Sequence, residues 1–249
     1  QRPVVVGLGP GGLFAALILA QAGLRPLVIE RGDPVEERTR RVQTFWQGGT
    51  LDPDSNVQFG EGGAGAFSDG KLNTGTKDPR ARKVLEELVQ AGAPADILWQ
   101  AKPHVGTDRL PDAVRQIRET IRRLGGDVWF RTTCTGLLHK DGQITGVRVR
   151  CANGSCEIVE TGHVILAPGH SARDVFAMLE KEGIPMQPKA FSIGARIEHR
   201  QAWLNRTQYG PAAGHPALGA ADYHLAVHLP DGRGVYSFCM CPGGSVVAA

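Results

Sequence analysis

The chain has 249 residues, of which 28 are Lys or Arg and 25 are Asp or Glu, so its formal net charge is +3. Glycine and proline, with 33 and 16 residues, make up about a fifth of the chain, which excludes a coiled coil or a plain helical bundle. An apolar fraction of 41% is typical of a globular protein with one large or two smaller domains. The small net charge gives no reason to expect a nucleic-acid partner.

The cysteine content predicts a cytoplasmic protein, although one feature of the N-terminal stretch argues otherwise. Five cysteines in a chain of this length do not form a disulfide framework, so we expect a reducing compartment. An apolar stretch ending at Ala20-Gln21-Ala22 imitates a signal peptide, but glycines and a proline interrupt it, and it is too broken to span a membrane. Because the chain starts with Gln rather than Met, directly on a strand, and stops at Val246-Val247-Ala248-Ala249, we expect it to be part of a longer protein.

The first half of the chain predicts alternating strands and helices. Val4 to Val6 and Leu27 to Ile29 are apolar strands separated by a glycine loop and a helix over 13–21, and such a parallel pair requires a right-handed crossover. We expect an ordered glycine-rich loop over 60–75. Further helices are predicted over 39–47, 80–90 and 111–124, and the last of these is expected to expose Arg115, Arg118, Arg122 and Arg123.

The second half of the chain predicts mainly strands. Strands over 128–134, 136–139, 144–151 and 156–160, joined by Asp-Gly and Asn-Gly turns, predict a small antiparallel meander. One more apolar strand, over 163–167, ends at Pro168-Gly169. Beyond it we predict a helix over 175–182 and strands over 191–199, 223–229 and 235–240.

The first glycine loop carries a dinucleotide-binding pattern. Gly7, Gly9 and Gly12 match G-x-G-x-x-G between a strand and a helix, where they permit a tight turn, approach of a pyrophosphate and close helix packing. Glu30, at the end of the next strand, would accept the ribose hydroxyls of an adenosine and repel a 2′-phosphate, which leaves NAD and FAD open. The expected cofactor contacts in this loop are Gly7, Gly9, Pro10, Gly11 and Gly12.

Three further features resemble the FAD-binding domain of glutathione-reductase-type flavoproteins. Glu30-Arg31 is similar to an acidic-basic pair of that fold, and the resemblance implies that Cys134 contributes its backbone near the adenine. Ala167-Pro168-Gly169 stands where that family has an A-T-G turn, although Pro168 lacks one backbone donor. The implied fold is α/β, with a Rossmann-like FAD/NAD(P)-binding domain over 1–172 that contains the meander, about 128–160, and a partial β-rich substrate domain over 173–249.

The stretch from Phe59 to Leu72 resembles the second cofactor loop of a mostly uncharacterised branch of bacterial and plastid FAD-dependent dehydrogenases. By that resemblance its glycines lie against the ribityl chain and diphosphate, and Lys71 near the flavin would stabilise the anionic reduced form. A glycine-rich surface loop with a solvated Lys71 is the alternative. The implied contacts are Gly62, Gly63, Ala64, Gly65, Ser68, Asp69 and Lys71.

Four residues are candidates for catalysis: Lys71, His170, Cys239 and Cys241. His170 follows the Pro-Gly turn and is the first candidate for a proton donor, with a polar helix cap that has Ser171 at the N-cap as the alternative. Cys239 and Cys241 are two residues apart on a predicted strand, so their side chains point the same way. Three alternatives stay open: the thiols face the flavin, they form a thiol–disulfide exchange pair, or they fill a small apolar space. The cysteines of the chain lack the spacing of a zinc site, so we expect no metal.

These features together predict an FAD-dependent oxidoreductase. Hydride would pass through a non-covalent flavin to or from a small-molecule substrate, with NAD(P)H as a candidate reductant. An NAD-linked dehydrogenase, a flavin monooxygenase and a non-catalytic nucleotide-binding module are the alternatives. The sequence identifies neither the substrate nor the oligomeric state, and the Gly-Asp turn that usually holds the ribityl chain has no match in it.

Overall fold

The computed structural model describes residues 1–67, 70–72, 74, 76–100, 103–106, 108–237, 240–242 and 246–248. The described strands are β1 (Val4–Val6), β2 (Leu27–Ile29), β3 (Asp127–Trp129), β4 (Thr133–Lys140), β5 (Gln143–Arg150), β6 (Cys156–Glu160), β7 (Val164–Leu166), β8 (Ala226–His228) and β9 (Gly234–Tyr236). The α-helices are α1 (Pro10–Gln21), α2 (Val35–Trp46), α3 (Ala81–Gln90), α4 (Leu110–Arg123), α5 (Arg173–Lys181) and α6 (Gln201–Tyr209).

The chain divides into two compact units, residues 1–187 and 188–248. The first unit extends past residue 172, where we placed the end of the first domain. The reason is that α5 buries Val175 and Leu179 in a cluster shared with strands of that unit. Within the described ranges, no helix has the length and apolar composition needed to cross a bilayer.

In the residues of the first unit that the structure describes, the strands form two sheets. The parallel sheet has the strand order β3-β2-β1-β7, and β4, β5 and β6 form an antiparallel sheet beside it. In the parallel sheet Val5 pairs with Val28 on one side and with Ile165 on the other. The predicted α/β class, with a parallel sheet and an antiparallel meander, is confirmed.

Alternation along β1 explains how the parallel sheet is covered. Val5 packs in a cluster with Leu17 of α1 and Ile121 of α4. Val4 and Val6 pack in a second cluster, which contains Val147 of the meander. Successive side chains of a strand point to opposite faces, so both faces of this strand are buried. Uninterrupted apolar runs such as β1 and β2 are typical of parallel strands covered in this way.

The predicted strand over 128–134 is wrong, because the chain turns inside it. β3 ends at Trp129 in the parallel sheet and β4 starts at Thr133 in the antiparallel sheet. Between them Arg131 adopts a φ of 51°, and its guanidinium is held by the carboxylates of Asp33 and Asp52. Contacts with residues far away in the sequence therefore decide where the parallel sheet stops.

In the second unit the predicted strand over 191–199 is also wrong. These residues form no strand, and the side chains of Phe191, Ile193 and Ile197 are exposed. Alternation of apolar and polar residues is present there, but a strand also needs a partner to accept and donate its hydrogen bonds. The unit instead contains α6, which the sequence did not predict, and the antiparallel pair β8 and β9.

Candidate functional site

The first glycine loop follows β1 and leaves no room for side chains at two positions. Gly7 adopts a φ of 96°, and a Cβ there would lie 2.2 Å from the carbonyl oxygen of Ala167. A Cβ at Gly12 would lie 1.8 Å from the carbonyl oxygen of Gly7. α1 begins at Pro10, earlier than the predicted Leu13, because proline suits the first helical position. The N-terminal N–H groups of α1 thus stand next to this loop, an arrangement that suits an anion.

Glu30 fixes the first glycine loop in addition to any role in binding. The residue is buried, and its Oε2 accepts a hydrogen bond from the backbone N–H of Leu8 at 2.7 Å. Its Oε1 accepts one from the N–H of Gly32 at 2.7 Å. Each carboxylate oxygen has a second acceptor position, so Glu30 retains the capacity to accept ligand hydroxyls.

The second glycine loop, residues 56–63, lies directly against the first. The N–H of Gly62 donates to the carbonyl oxygen of Leu8 at 2.8 Å. A Cβ at Gly63 would lie 2.8 Å from Cδ of Pro10 and 3.3 Å from Cα of Gly9. Only glycine permits this close approach of the two loops.

Arg38 of α2 organises the second loop and was missed by the sequence reasoning. Its side chain is fully buried, and its Nε donates to the carbonyl oxygen of Asn56 at 2.8 Å. Nη1 donates to the carbonyl oxygens of Glu61 and Gly63 at 2.6 and 2.8 Å, and Nη2 donates to that of Val57 at 2.9 Å. Burial lowers the pKa of Arg38 to about 10, so the guanidinium remains charged at neutral pH.

A second buried group joins the loop to α2 and α4. Glu61 is fully buried, and its Oε2 accepts hydrogen bonds from the Val35 N–H at 2.8 Å and from Nη1 of Arg118 at 2.6 Å. Its Oε1 has no hydrogen-bond partner among the residues that the structure describes. Burial raises the pKa of Glu61 to about 7, although Arg118 opposes that shift. Arg118 was expected on the exposed face of α4, which is wrong, because it is buried between Glu61 and Glu36.

A cavity of about 230 Å³ opens where these parts meet. Residues from both glycine loops, the end of β2, β4 and the turn after β7 line it. Predicted site residues in its wall are Gly7, Gly9, Pro10, Glu30, Arg31, Gly63, Ala64, Cys134, Ala167, Pro168, Gly169 and His170. Wall residues that the sequence did not single out include Gln58, Phe59, Gly60 and Thr132. The family resemblance had pointed to the loop that contains Gly60, whereas no motif in the sequence marked Thr132 as a site residue.

The other predicted site residues do not line this cavity. Gly12 packs beneath the first loop, and Lys71 is exposed and pairs with His104 as an isolated β-bridge. Gly11 in the first turn of α1, Gly62 in the second glycine loop and Gly65 just after that loop do not line the wall, and Cys241 belongs to the second unit. Ser68, Asp69 and Cys239 lie outside the described residues.

Three wall residues have properties that bear on their predicted roles. Nη2 of Arg31 lies 2.5 Å from Oδ2 of Asp174, and its guanidinium is 4.8 Å from the centroid of the Phe59 ring. Burial raises the pKa of the Cys134 thiol, which leaves its backbone as the part suited to a contact. His170 is exposed. The alternative in which Ser171 is the N-cap of the next helix is wrong, because Ala172 holds the N-cap position of α5.

Another feature of the described ranges is the placement of their possible metal ligands. Among those residues, no group of three or more His, Cys, Asp or Glu side chains is placed to hold a metal ion. Cys151 and Cys156 flank a turn: Cys156 pairs with Arg150 in the antiparallel sheet, and Cys151, directly after β5, donates its N–H to the carbonyl oxygen of Ser155.

Comparison with known proteins relates the end of the chain to flavoproteins. Residues 190–249 match the family described as FAD-dependent protein, C-terminal domain-like. An uncharacterized protein from Clostridium beijerinckii is 54% identical over 249 residues, which are 100% of this chain and 46% of that protein. The digeranylgeranylglycerophospholipid reductase of Thermoplasma volcanium is 28% identical over 175 residues, 67% of this chain and 38% of the reductase.

The chain therefore spans less than half the length of these two relatives. Among solved structures, the crystal structure of Thermovibrio ammonificans THI4 is similar, with a TM-score of 0.49 and 19% sequence identity. That similarity covers 74% of this chain and 64% of the THI4 chain.

Proposed function

We propose that the chain binds FAD and forms part of an FAD-dependent oxidoreductase. The observation that carries this proposal is the cavity lined jointly by both glycine loops, Glu30 and the Ala167–Gly169 turn. The match of residues 190–249 to FAD-dependent proteins supports it independently.

The cavity wall suits the adenosine diphosphate half of the cofactor. The diphosphate would lie against Gly9 and the start of α1, where the bare backbone and the helix N-terminus favour an anion. Glu30 would accept hydrogen bonds from the ribose hydroxyls, and the backbone of Cys134 would lie near the adenine. Flavin, when bound, supplies hydride transfer, whereas the protein supplies orientation and electrostatics.

We further propose a small-molecule substrate and a reduced nicotinamide nucleotide as the electron donor. His170 is the candidate proton donor because it is an exposed residue in the wall of the cavity. Lys71 and the pair Cys239 and Cys241 remain candidates for contact with the flavin. The Thermoplasma relative is named as a reductase, which favours reduction of the substrate over its dehydrogenation.

The test is the absorbance spectrum of the purified protein, followed by titration with FAD and then with NADH and NADPH. We expect flavin absorption bands as purified or after FAD uptake, and bleaching of those bands by one of the two reductants. A protein that contains no flavin and takes up none contradicts the proposal. Binding of NADH by such a colourless protein would favour the NAD-linked dehydrogenase instead.

A further inference from the structure

A buried positive charge lies behind the second glycine loop. Within the described part of the chain, every hydrogen bond of the Arg38 side chain goes to one of four backbone carbonyl oxygens of the loop. Buried arginines are usually paired with carboxylates. Here Glu30 and Glu61 act on the guanidinium through space, without a hydrogen bond between side chains. The charge is therefore less neutralised than that of a paired arginine.

The contacts of Arg38 also set the direction of the peptide groups in the loop. The carbonyl and N–H of one peptide unit point in opposite directions. Because the carbonyl of Gly63 points at Arg38, the N–H of Ala64 points away from it, and Ala64 lines the cavity. The peptide between Glu61 and Gly62 behaves alike, since its carbonyl accepts from Arg38 and the N–H of Gly62 reaches the carbonyl of Leu8 in the first loop. At these two peptides the carbonyl oxygen thus faces the buried cation, while the N–H points away from it, towards the cavity or the first loop. At the peptide between Val57 and Gln58 the carbonyl also faces the cation, but the N–H donates to Oδ1 of Asn56.

We propose that Arg38 is a positioning residue that makes this cavity selective for the anionic diphosphate of its ligand. It does so by turning carbonyl oxygens away from the anion and by placing a buried positive charge, to which no carboxylate is hydrogen-bonded, one peptide group behind the wall. A charge in the protein interior is screened less by solvent and salt than a surface charge. The inference rests on the proposed FAD site, in which the diphosphate lies between Gly9 and Gly63.

Two variants, of which only one retains a positive charge, separate this role from a purely structural one. Arg38→Lys and Arg38→Gln both lose the guanidinium and its four hydrogen bonds to the loop, but only Arg38→Lys retains a positive charge. We measure the affinities for ADP and for adenosine by calorimetry. Wild type is expected to prefer ADP; Arg38→Gln should reduce that preference by roughly tenfold, and Arg38→Lys should keep it within about threefold.

The matched control is Arg40→Gln, which removes an exposed cation from the same helix. It should leave the preference for ADP over adenosine unchanged, because an exposed charge is screened. If both Arg38 variants weaken ADP and adenosine by the same factor, Arg38 only holds the loop and the inference is overturned.

A measurement on wild type decides the matter if neither Arg38 variant folds. The preference for ADP should persist at about 0.5 M salt, because a buried cation is poorly screened, whereas a preference that disappears there comes from exposed side chains and overturns the inference. Wild type that takes up FAD without preferring ADP contradicts this inference alone. Wild type that takes up neither FAD nor ADP contradicts the proposed function.

Discussion

At the scale of single residues, Glu30 combines a binding role with a structural one. Both of its oxygens already accept backbone N–H groups, those of Leu8 and Gly32, so the side chain ties the first glycine loop to the end of β2. The ribose hydroxyls of a dinucleotide would use the remaining acceptor positions. Loss of this carboxylate should therefore affect both the geometry of the loop and the affinity for the ligand.

We predict that Glu30→Gln weakens FAD binding by about 10–100-fold. A hydrogen bond to a charged group contributes roughly 1.5–3 kcal/mol, and the amide NH₂ of glutamine cannot accept from the N–H that it would face. The measurement is an FAD titration followed by flavin fluorescence. Glu37→Gln on α2, which removes an exposed carboxylate that pairs with Arg40, is the control and should bind FAD like wild type. Equal affinities of Glu30→Gln and wild type would contradict the placement of the adenosine.

The raised pKa of Glu61 predicts that the folded protein loses stability as the pH rises towards neutrality. Burial raises its pKa in the folded protein to about 7, from 4.5 in the unfolded chain. Between these values the folded state binds more protons than the unfolded state, so the free energy of unfolding falls as the pH increases. The stability that Glu61 contributes is complete below about pH 4.5 and is lost as the pH passes through about 7.

Comparison of wild type with Glu61→Gln isolates this effect. The carboxylates with lowered pKa values, such as Asp33, Asp52 and Glu36, change stability in a more acidic range and are present in both proteins. We expect urea unfolding to show wild type losing roughly 1–3 kcal/mol relative to the variant between about pH 5 and 8. Glu119→Gln, at an exposed partner of Arg118, is the control and should follow wild type. Parallel pH profiles of wild type and Glu61→Gln would contradict the prediction.

At the scale of elements, the contact between the two glycine loops is the feature most sensitive to a single added atom. Gly63 adopts a φ of 62° and would place a Cβ within 2.8 Å of Pro10. We predict that Gly63→Ala destabilises the fold by about 1–3 kcal/mol and weakens FAD binding by at least tenfold, because the loops must separate. Thermal unfolding and FAD titration provide the two measurements.

Gly48→Ala is the matched control for the backbone strain at Gly63. Gly48 also has a positive φ, of 96°, but a Cβ there would have no neighbour within 4 Å. It should therefore lose stability from strain alone and bind FAD like wild type. If the two variants lose FAD affinity to the same degree, contact between the loops is not what shapes the cavity.

The elements also mark the limit of what could be predicted from the sequence. Strand, glycine loop, helix and strand in the first thirty residues follow from local periodicity, and the structure has them at nearly the predicted bounds. The break between β3 and β4 could not be predicted, because it depends on Arg131 reaching Asp33 and Asp52. Arg38 was missed for another reason: it shares the buried stripe of α2 with Val35 and Val42, but an arginine is normally assigned to the surface.

At the scale of the whole molecule, the cavity lies entirely within the first compact unit, so a ligand there should stabilise that unit directly. A ligand that binds only the folded state adds RT ln(1 + [L]/Kd) to the free energy of unfolding, about 2.7 kcal/mol at a hundredfold excess over Kd. For a unit of this size, that corresponds to an increase of roughly 5–10 °C in Tm.

We therefore predict that saturating FAD raises the Tm of the transition that unfolds the parallel sheet by about 5–10 °C. Riboflavin, which lacks the adenosine diphosphate half, should raise it by much less, because the residues that line the cavity would contact that half. Calorimetry with each ligand, followed in parallel by circular dichroism, checks both statements. Equal shifts with FAD and riboflavin would mean that the isoalloxazine alone is bound, and that the glycine loops around the cavity serve another ligand.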